Sequence, residues 1–291
     1  MWLKNFFKKM ICHFFISYYS YTEDPRFKPY LTPEILEFTK VLREQKSLPF
    51  DKYQEMVTEI LQQGNNLVIG QKEYIETHRL RFYELFNTVL FLLKDVPRPK
   101  ILEFGVSEFS RLYKKLIPSV ELYTADLPLP ADHPGFTEER CKRLAKPVAH
   151  ITIDLTKTLP HENKILSSLT FHLIVFTEVL EHLDVNPIEL LASLKKLLIP
   201  GGWLYLTTPN FFSYKNLIRL FRRENPLPFY PKKGDNWDYH HHHREYEMSE
   251  LLDAVTKAGL KVKAFYFSSC WDEKKDIPEE LFSNLVIVSQ A

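Results

Sequence analysis

The sequence predicts an α/β protein, a doubly wound and mostly parallel sheet with a helical extension before it. Three observations carry that expectation. Helical periodicity fills the first third of the chain, short apolar runs alternate with helical stretches from Lys100 onward, and acidic residues stand at the ends of successive runs.

In the first third, Thr32-Pro33-Glu34 reads as a helix start, a capping hydroxyl with proline at the first position. Ile35, Phe38, Val41 and Leu42 then share one face. Tyr53, Met56, Val57, Ile60 and Leu61 repeat the pattern up to the Gly64-Asn65-Asn66 break. A longer helix over 71–94 places Ile75, Phe82, Leu85, Phe86, Val89 and Leu93 on its buried stripe, and Pro97 and Pro99 follow its end. Strand candidates then run over 100–104, 120–125, 150–153, 171–176, 202–208, 260–267 and 285–290, with helices expected at 108–116, 135–145, 162–168 and 187–198. Alternation of this kind gives a parallel sheet covered on both faces. The polar connection between the last two strands is short, which suits an antiparallel edge insertion.

Composition narrows the partners. Thirty-eight basic against 37 acidic residues give a net charge of +1, so no global field argues for nucleic acid, and no such partner is expected. Cys12, Cys141 and Cys270 are too few and too scattered for a disulfide framework or a zinc knuckle, which fits a reducing, cytoplasmic setting. The opening MWLKNFFKKMICHFFISYYSY is too short in its apolar part to span a bilayer and has no small-residue cleavage site after it. It reads either as a segment packed on the domain or as a peripheral membrane contact with Lys4, Lys8 and Lys9 toward headgroups.

In a doubly wound sheet, ligands bind at the carboxyl ends of the strands, so the residues just after each strand carry the chemistry. After strand one come Glu103, Gly105 and Ser107, where glycine lets the backbone approach a ligand. After strand two comes Asp126, placed to accept from a pair of ribose hydroxyls, and after strand three Asp154, placed to accept from an exocyclic amine. After strand four comes TEVLEH, residues 177–182. A carboxylate after a strand also serves as an ordinary helix cap, but several converging on one crevice are easier to understand with a ligand between them.

At this point FHLIVFTEVLEHL, LLIPGGWLYLTTPN and HHREYEMSELLDAVTKAGLKV resemble the motifs after strand four, at strand five and near the C-terminus of class I S-adenosylmethionine-dependent methyltransferases, in the ubiquinone-biosynthesis-type branch. The resemblance covers about residues 100 to 291. It implies a Rossmann-like methyltransferase fold with a seven-stranded sheet and an antiparallel last strand. It also implies an enzyme with S-adenosylmethionine as cofactor: Glu103, Gly105 and Ser107 against the methionine part, Asp126 on the ribose, Asp154 and Leu155 beside the adenine, and Glu178 also among the cofactor-binding residues. Residues 1–98 are then the helical N-terminal extension, and 99–291 the methyltransferase domain, with 211–246 inserted over the active site.

The departure is in the first motif, where three alternating glycines are replaced by Gly105, Ser107 and Phe109. A ring in the crevice would fill part of the methionine pocket. A ring turned inward would join the core, and the shared helical face of Phe109 and Leu112 favours the core.

The expected reaction is methyl transfer to a small-molecule or lipid-like acceptor, with His182 as candidate base or, equally, a structural cap. Thr208, Pro209 and Asn210 with Arg244 and Tyr246 would border the acceptor, as would Tyr74, His78, Arg79 and Arg81 of the extension. Arg219, Arg222, Arg223, Lys232 and Lys233 of the insertion suit an anionic one. Two alternatives stand beside it. Glu178, Glu181, His182 and His242 are similar to the metal-binding set of small-RNA 3′-terminal 2′-O-methyltransferases, although EVLEH also occurs in small-molecule relatives without metal, and no metal ligand is assigned. The other is a non-catalytic protein that senses the cofactor or binds a partner.

Overall fold

The computed structural model describes residues 21–63, 67–68, 70–131, 133, 135–227, 241–269 and 277–291. The N-terminal lysines, Lys232 and Lys233, and the Gly64-Asn65-Asn66 break lie outside them. Three helices open the described chain: α1 (Pro33–Glu44), α2 (Phe50–Leu61) and α3 (Gln71–Leu92). As the sequence suggests, Thr32 caps α1, its Oγ1 accepting from the Ile35 N–H.

Strands β1 (Lys100–Phe104), β2 (Glu121–Asp126), β3 (Ala149–Thr152), β4 (Phe171–Thr177), β5 (Leu198–Pro209), β6 (Lys261–Ser268) and β7 (Asn284–Gln290) form one sheet of order 3-2-1-4-5-7-6. The first five are parallel, and β7 runs antiparallel to both β5 and β6. The last strand is therefore inserted one place in from the edge rather than at it. Its own residues explain this: Leu285 and Ile287 face one layer of core while Val286 and Val288 face the other, as a strand covered on both sides requires. Edge strand β6 starts with Lys261 and Lys263, charges that suit an open edge.

The remaining helices are α4 (Leu112–Leu116), α5 (Glu138–Ala145), α6 (Pro187–Lys196), α7 (Tyr214–Phe221) and α8 (Met248–Lys257). The helix expected over 162–168 is two 3-10 turns instead, Pro160–Glu162 and Leu166–Ser168. Asn163 Oδ1 accepts from the Ile165 and Leu166 N–H groups, offering the backbone a local alternative to a helix.

Strand alternation divides the core in two. Leu102, Ile174, Phe176, Leu204 and Leu206 pack with Leu190, Leu194, Leu251 and Val255 of α6 and α8. Ile101, Leu173, Val175 and Tyr205 pack with Tyr53, Val57 and Ile60 of α2 and with Ile75, Phe82, Leu85, Phe86 and Val89 of α3. The extension thus supplies most of one face, which Phe109, Leu112 and Tyr113 complete, while its Phe27 and Ile35 pack on the other, and the core runs across the 98/99 boundary. Burial of the five apolar α3 side chains alone contributes roughly 8–15 kcal/mol before entropy is charged against it. Among the described residues no helix is long and apolar enough to cross a membrane.

Candidate active site

The strand order reverses between β1 and β4, and the turns after those two strands meet there. Gly105 takes φ +77°, a conformation that L side chains rarely adopt, and a Cβ on it would lie 3.2 Å from Val179 Cγ2. Ser107 then caps a 3-10 turn, Glu108–Arg111: its Oγ accepts from the Phe109 N–H at 3.2 Å, and its own N–H donates to Ser110 Oγ at 3.0 Å. Because the turn starts at Glu108, the Phe109 ring points into the core. It is fully buried and stacks on Phe82 with centroids 4.0 Å apart.

Asp126 at the end of β2 accepts from the Val106 N–H through Oδ2 at 3.0 Å and from the Leu127 N–H through Oδ1 at 2.8 Å. Burial nevertheless pushes its carboxyl up to about 6, with these two N–H groups opposing. A carboxylate has about four acceptor sites, so two remain for vicinal hydroxyls, as a ribose at this position requires. Glu103 lies deeper and only 2% exposed. Burial pushes it up to about 8, against the Ser110 and Tyr113 hydroxyls beside it.

Asp154 is held locally. Its Oδ1 accepts from the Thr156 N–H and Oγ1, and Oδ2 pairs with Lys157 Nζ at 2.6 Å. Burial pushes its carboxyl up, but Lys157 and Thr156 outweigh that and leave it below the usual range. Leu155 next to it is buried in the core.

The two carboxylates of EVLEH separate across the sheet. Glu178, at φ +53°, accepts from Thr207 Oγ1 at 2.7 Å and pairs with Arg81 of α3 at 3.2 Å. Glu181, 1% exposed, accepts from Thr208 Oγ1 at 3.0 Å, and burial pushes it up to about 7. Consecutive residues of a strand face opposite sides, so Thr207 and Thr208 sort the two acids. That signal is in the sequence, at the end of β5, but neither threonine was expected to hold an acid.

Around Glu181 the chain returns from the insertion. The His243 N–H donates to the Glu181 carbonyl at 2.7 Å, and His182 Nδ1 donates to the His241 carbonyl at 3.0 Å. His182 Nε2 is 3.7 Å from Glu181 Oε1, and its ring centroid is 4.9 Å from that of His242. His242 Nδ1 lies 3.0 Å from Glu245 Oε1, a partner sequence reasoning missed although it sits only three residues away. One ligand atom each from Glu181, His182 and His242 all fall within 4.8 Å of one another, whereas Glu178 is engaged by Arg81 and Thr207.

The other expected acceptor residues are dispersed. Asn210 anchors backbone, its Nδ2 donating to the Glu280 and Phe282 carbonyls. Tyr246 is buried with the Arg244 guanidinium over its ring. Tyr74, His78 and Arg81 do cluster: the Tyr74 and His78 rings are 4.4 Å apart, and Arg81 Nη2 donates to Tyr74 OH at 2.6 Å. Burial and the Arg81 charge hold His78 down to about 3. Arg79 turns away to the Glu76 carbonyl.

An open sheet of this order, with a glycine turn and an aspartate at its switch point, is a doubly wound fold of the kind that binds ligands at the carboxyl ends of its strands. More narrowly, the chain belongs to the methyltransferase-domain family, whose model matches residues 77–264, and it is a methyltransferase that uses S-adenosylmethionine. No curated protein matches it in sequence. Among solved structures it is similar to the N-methyltransferase NodS from Bradyrhizobium japonicum WM9, at 17% identity over 74% of this chain and 96% of that one, with a TM-score of 0.45. The same protein in complex with S-adenosyl-L-homocysteine gives 14% identity, 89% and 98% coverage and 0.43. A TehB-like methyltransferase from Corynebacterium glutamicum gives 16%, 82% and 96%, and 0.44.

Proposed function

We propose that the chain methylates a hydroxyl of a small or lipid-like acceptor bound between the turn after β4, the returning segment 241–246 and the Tyr74–Arg81 face of α3. The observation that carries this reading is the state of His182. A carbonyl can only accept, so the contact with His241 puts the imidazole proton on Nδ1 and leaves Nε2 basic, beside Glu181. Bound S-adenosylmethionine supplies a methyl group on a sulfonium, a good leaving group. The protein's part is to hold the ribose on Asp126, to align the acceptor and to take its proton on His182. Asp154, Leu155, Glu103 and Ser107 keep their assigned places around the cofactor in this reading. The ubiquinone-type branch, a cytoplasmic setting and membrane contact through the first twenty residues belong to the same proposal.

The test is acceptor screening by S-adenosylhomocysteine release with the parent and with His182→Gln. Loss of a general base lowers kcat by about a hundred- to ten-thousandfold at neutral pH and leaves cofactor affinity in place. A variant as active as the parent would remove His182 from this role.

A second reading is favoured by the convergence of Glu181, His182 and His242. Two imidazoles and one carboxylate suit a borderline divalent cation, and acceptors on both Nδ1 atoms orient the rings as metal-bound histidines need. In that case Glu181, His182 and His242 would hold the cation, which would lower the pKa of the acceptor hydroxyl so that solvent could take its proton. Stoichiometric uptake of Mn²⁺ or Zn²⁺ that is lost in His242→Ala, with chelation abolishing turnover, supports this reading over the first.

A further inference from the structure

Two consecutive residues of α3 reach the two turns that flank the cofactor crevice. Phe82 stacks on Phe109, with ring planes 13° apart, at the end of the turn that Gly105 opens. Arg81, almost fully buried, places Nη1 at 3.2 Å from Glu178 Oε1 in the turn after β4, with its guanidinium carbon 4.9 Å from the centre of the Phe82 ring. The two turns pass close to each other at Gly105, where a Cβ would lie 3.2 Å from Val179 Cγ2.

We infer that Arg81 is a positioning residue that fixes the Glu178 turn against the glycine turn, so that α3 braces the cofactor crevice from outside the sheet. Glu178 is a non-glycine residue in the left-handed region at φ +53°, a conformation kept only where its surroundings hold it. On the β5 side it is held twice, its N–H donating to the Thr207 carbonyl at 3.0 Å and its Oε1 accepting from Thr207 Oγ1. Those bonds fix it to the sheet but say nothing of its distance from the glycine turn. Arg81 supplies the pull from the other side. It is itself anchored through Tyr74 OH and through Phe82, the residue that packs on the glycine-turn side.

The brace also accounts for the replaced glycine. A phenylalanine at position 109 is accommodated because α3 offers Phe82 as its stacking partner, and the same helix then carries the cation one residue earlier. Cofactor affinity and docking of α3 are coupled as a result. Arg81 acts through Glu178 and need not touch the cofactor.

The inference rests on the cofactor site described above and not on the acceptor. Its test is calorimetric titration of the full chain with S-adenosylhomocysteine, beside thermal midpoints, for the parent, Arg81→Met, Arg81→Lys, Glu178→Gln, the Arg81→Met/Glu178→Gln double variant and Asp126→Ala. Arg81→Met is expected to weaken binding by about ten- to a hundredfold, and the double variant no more than the worse single one. Arg81→Lys restores part of the loss. If Arg81→Met does not fold, the Arg81→Lys and Glu178→Gln pair carries the same expectation in smaller form. Affinity within about twofold of the parent in the folded Arg81 and Glu178 variants, with only the midpoint lowered, overturns the inference, as do additive losses in the double variant. Asp126→Ala separates the two readings. If it alone loses affinity, the cofactor site stands and the brace falls; if it binds like the parent, the site itself is misplaced, and the brace falls with it.

Discussion

Replacing Phe109 tests whether the altered first motif is a blocked crevice or a repacked core. The ring is fully buried, stacked on Phe82 at 4.0 Å and packed among the apolar side chains of α3 and β1. Emptying such a site costs about 3–5 kcal/mol, and the lost stack adds about 0.5–1.5. Glycine in the short turn adds about 0.5–1 more. Phe109→Gly is therefore expected to lose about 4–7 kcal/mol, much of the stability of an ordinary domain. Phe109→Leu keeps most of the volume and is expected to lose about 1–2 kcal/mol, enough to lower the thermal midpoint by about 2–8 °C. The assay is urea denaturation of both variants with calorimetric titration of S-adenosylhomocysteine on the folded fraction. Stability should fall and affinity should not improve. A glycine variant that keeps its denaturation midpoint and binds the ligand more tightly would refute the core placement and revive the blocked crevice.

Three further outcomes follow from the same geometry. Burial pushes the Asp126 carboxyl up to about 6, and ribose hydroxyls need its ionised form, so affinity for S-adenosylhomocysteine should be flat above about pH 7 and fall toward tenfold per unit well below 6. Asp126→Asn should bind weakly with no such slope; a slope that survives the substitution points to another group. Burial pushes the Glu103 carboxyl from the usual 4.5 up to about 8, so the stability tied to its neutral form is present below 4.5 and lost as pH rises through 8. Glu103→Gln should raise the thermal midpoint near pH 9 and leave it unchanged near pH 4, and equal shifts at both would contradict the buried neutral carboxyl. Finally, a fragment starting at residue 99 loses α2 and α3 from one face of the sheet, uncovering Ile101, Leu173, Val175 and Tyr205, and Phe27 from the other, and should be aggregated or unfolded by circular dichroism and gel filtration. A soluble, cooperative fragment would show that the extension is an appendage after all.

Much of this fold is legible because periodicity is a local property. The stripe from Ile75 to Val89 reports the face that the structure buries, and the continuous apolar runs of β1 and β4 report strands covered on both sides. What periodicity does not report is which strand neighbours which. The apolar run of β7 and the lysines of β6 suit an inner and an edge strand, but the pairing of β7 with β5 depends on Val286 and Val288 finding the α3 side of the core. The extension misleads for a related reason. Its apolar stripes say that it is buried, not against what, and a lid over the crevice and a layer under the sheet have the same pattern. At the site, strand-end acids were visible as Asp126 and Glu178, yet the cation that holds Glu178 comes from far away in sequence. Arg81 precedes Glu178 by nearly a hundred residues, and the His241 carbonyl that orients His182 carries no residue-specific signal at all.

The central claim is that the turn after β1, with serine and phenylalanine where glycines are expected, remains a working cofactor site centred on Asp126. Isothermal titration of the full chain with S-adenosylhomocysteine at neutral pH, run beside Asp126→Ala, measures it most directly. The account predicts one-to-one binding by the parent and a loss of about ten- to a hundredfold in the variant, the effect of removing a charge-assisted pair of hydrogen bonds. A folded parent that gives no binding heat at any accessible concentration, or a variant that binds as tightly as the parent, would contradict it.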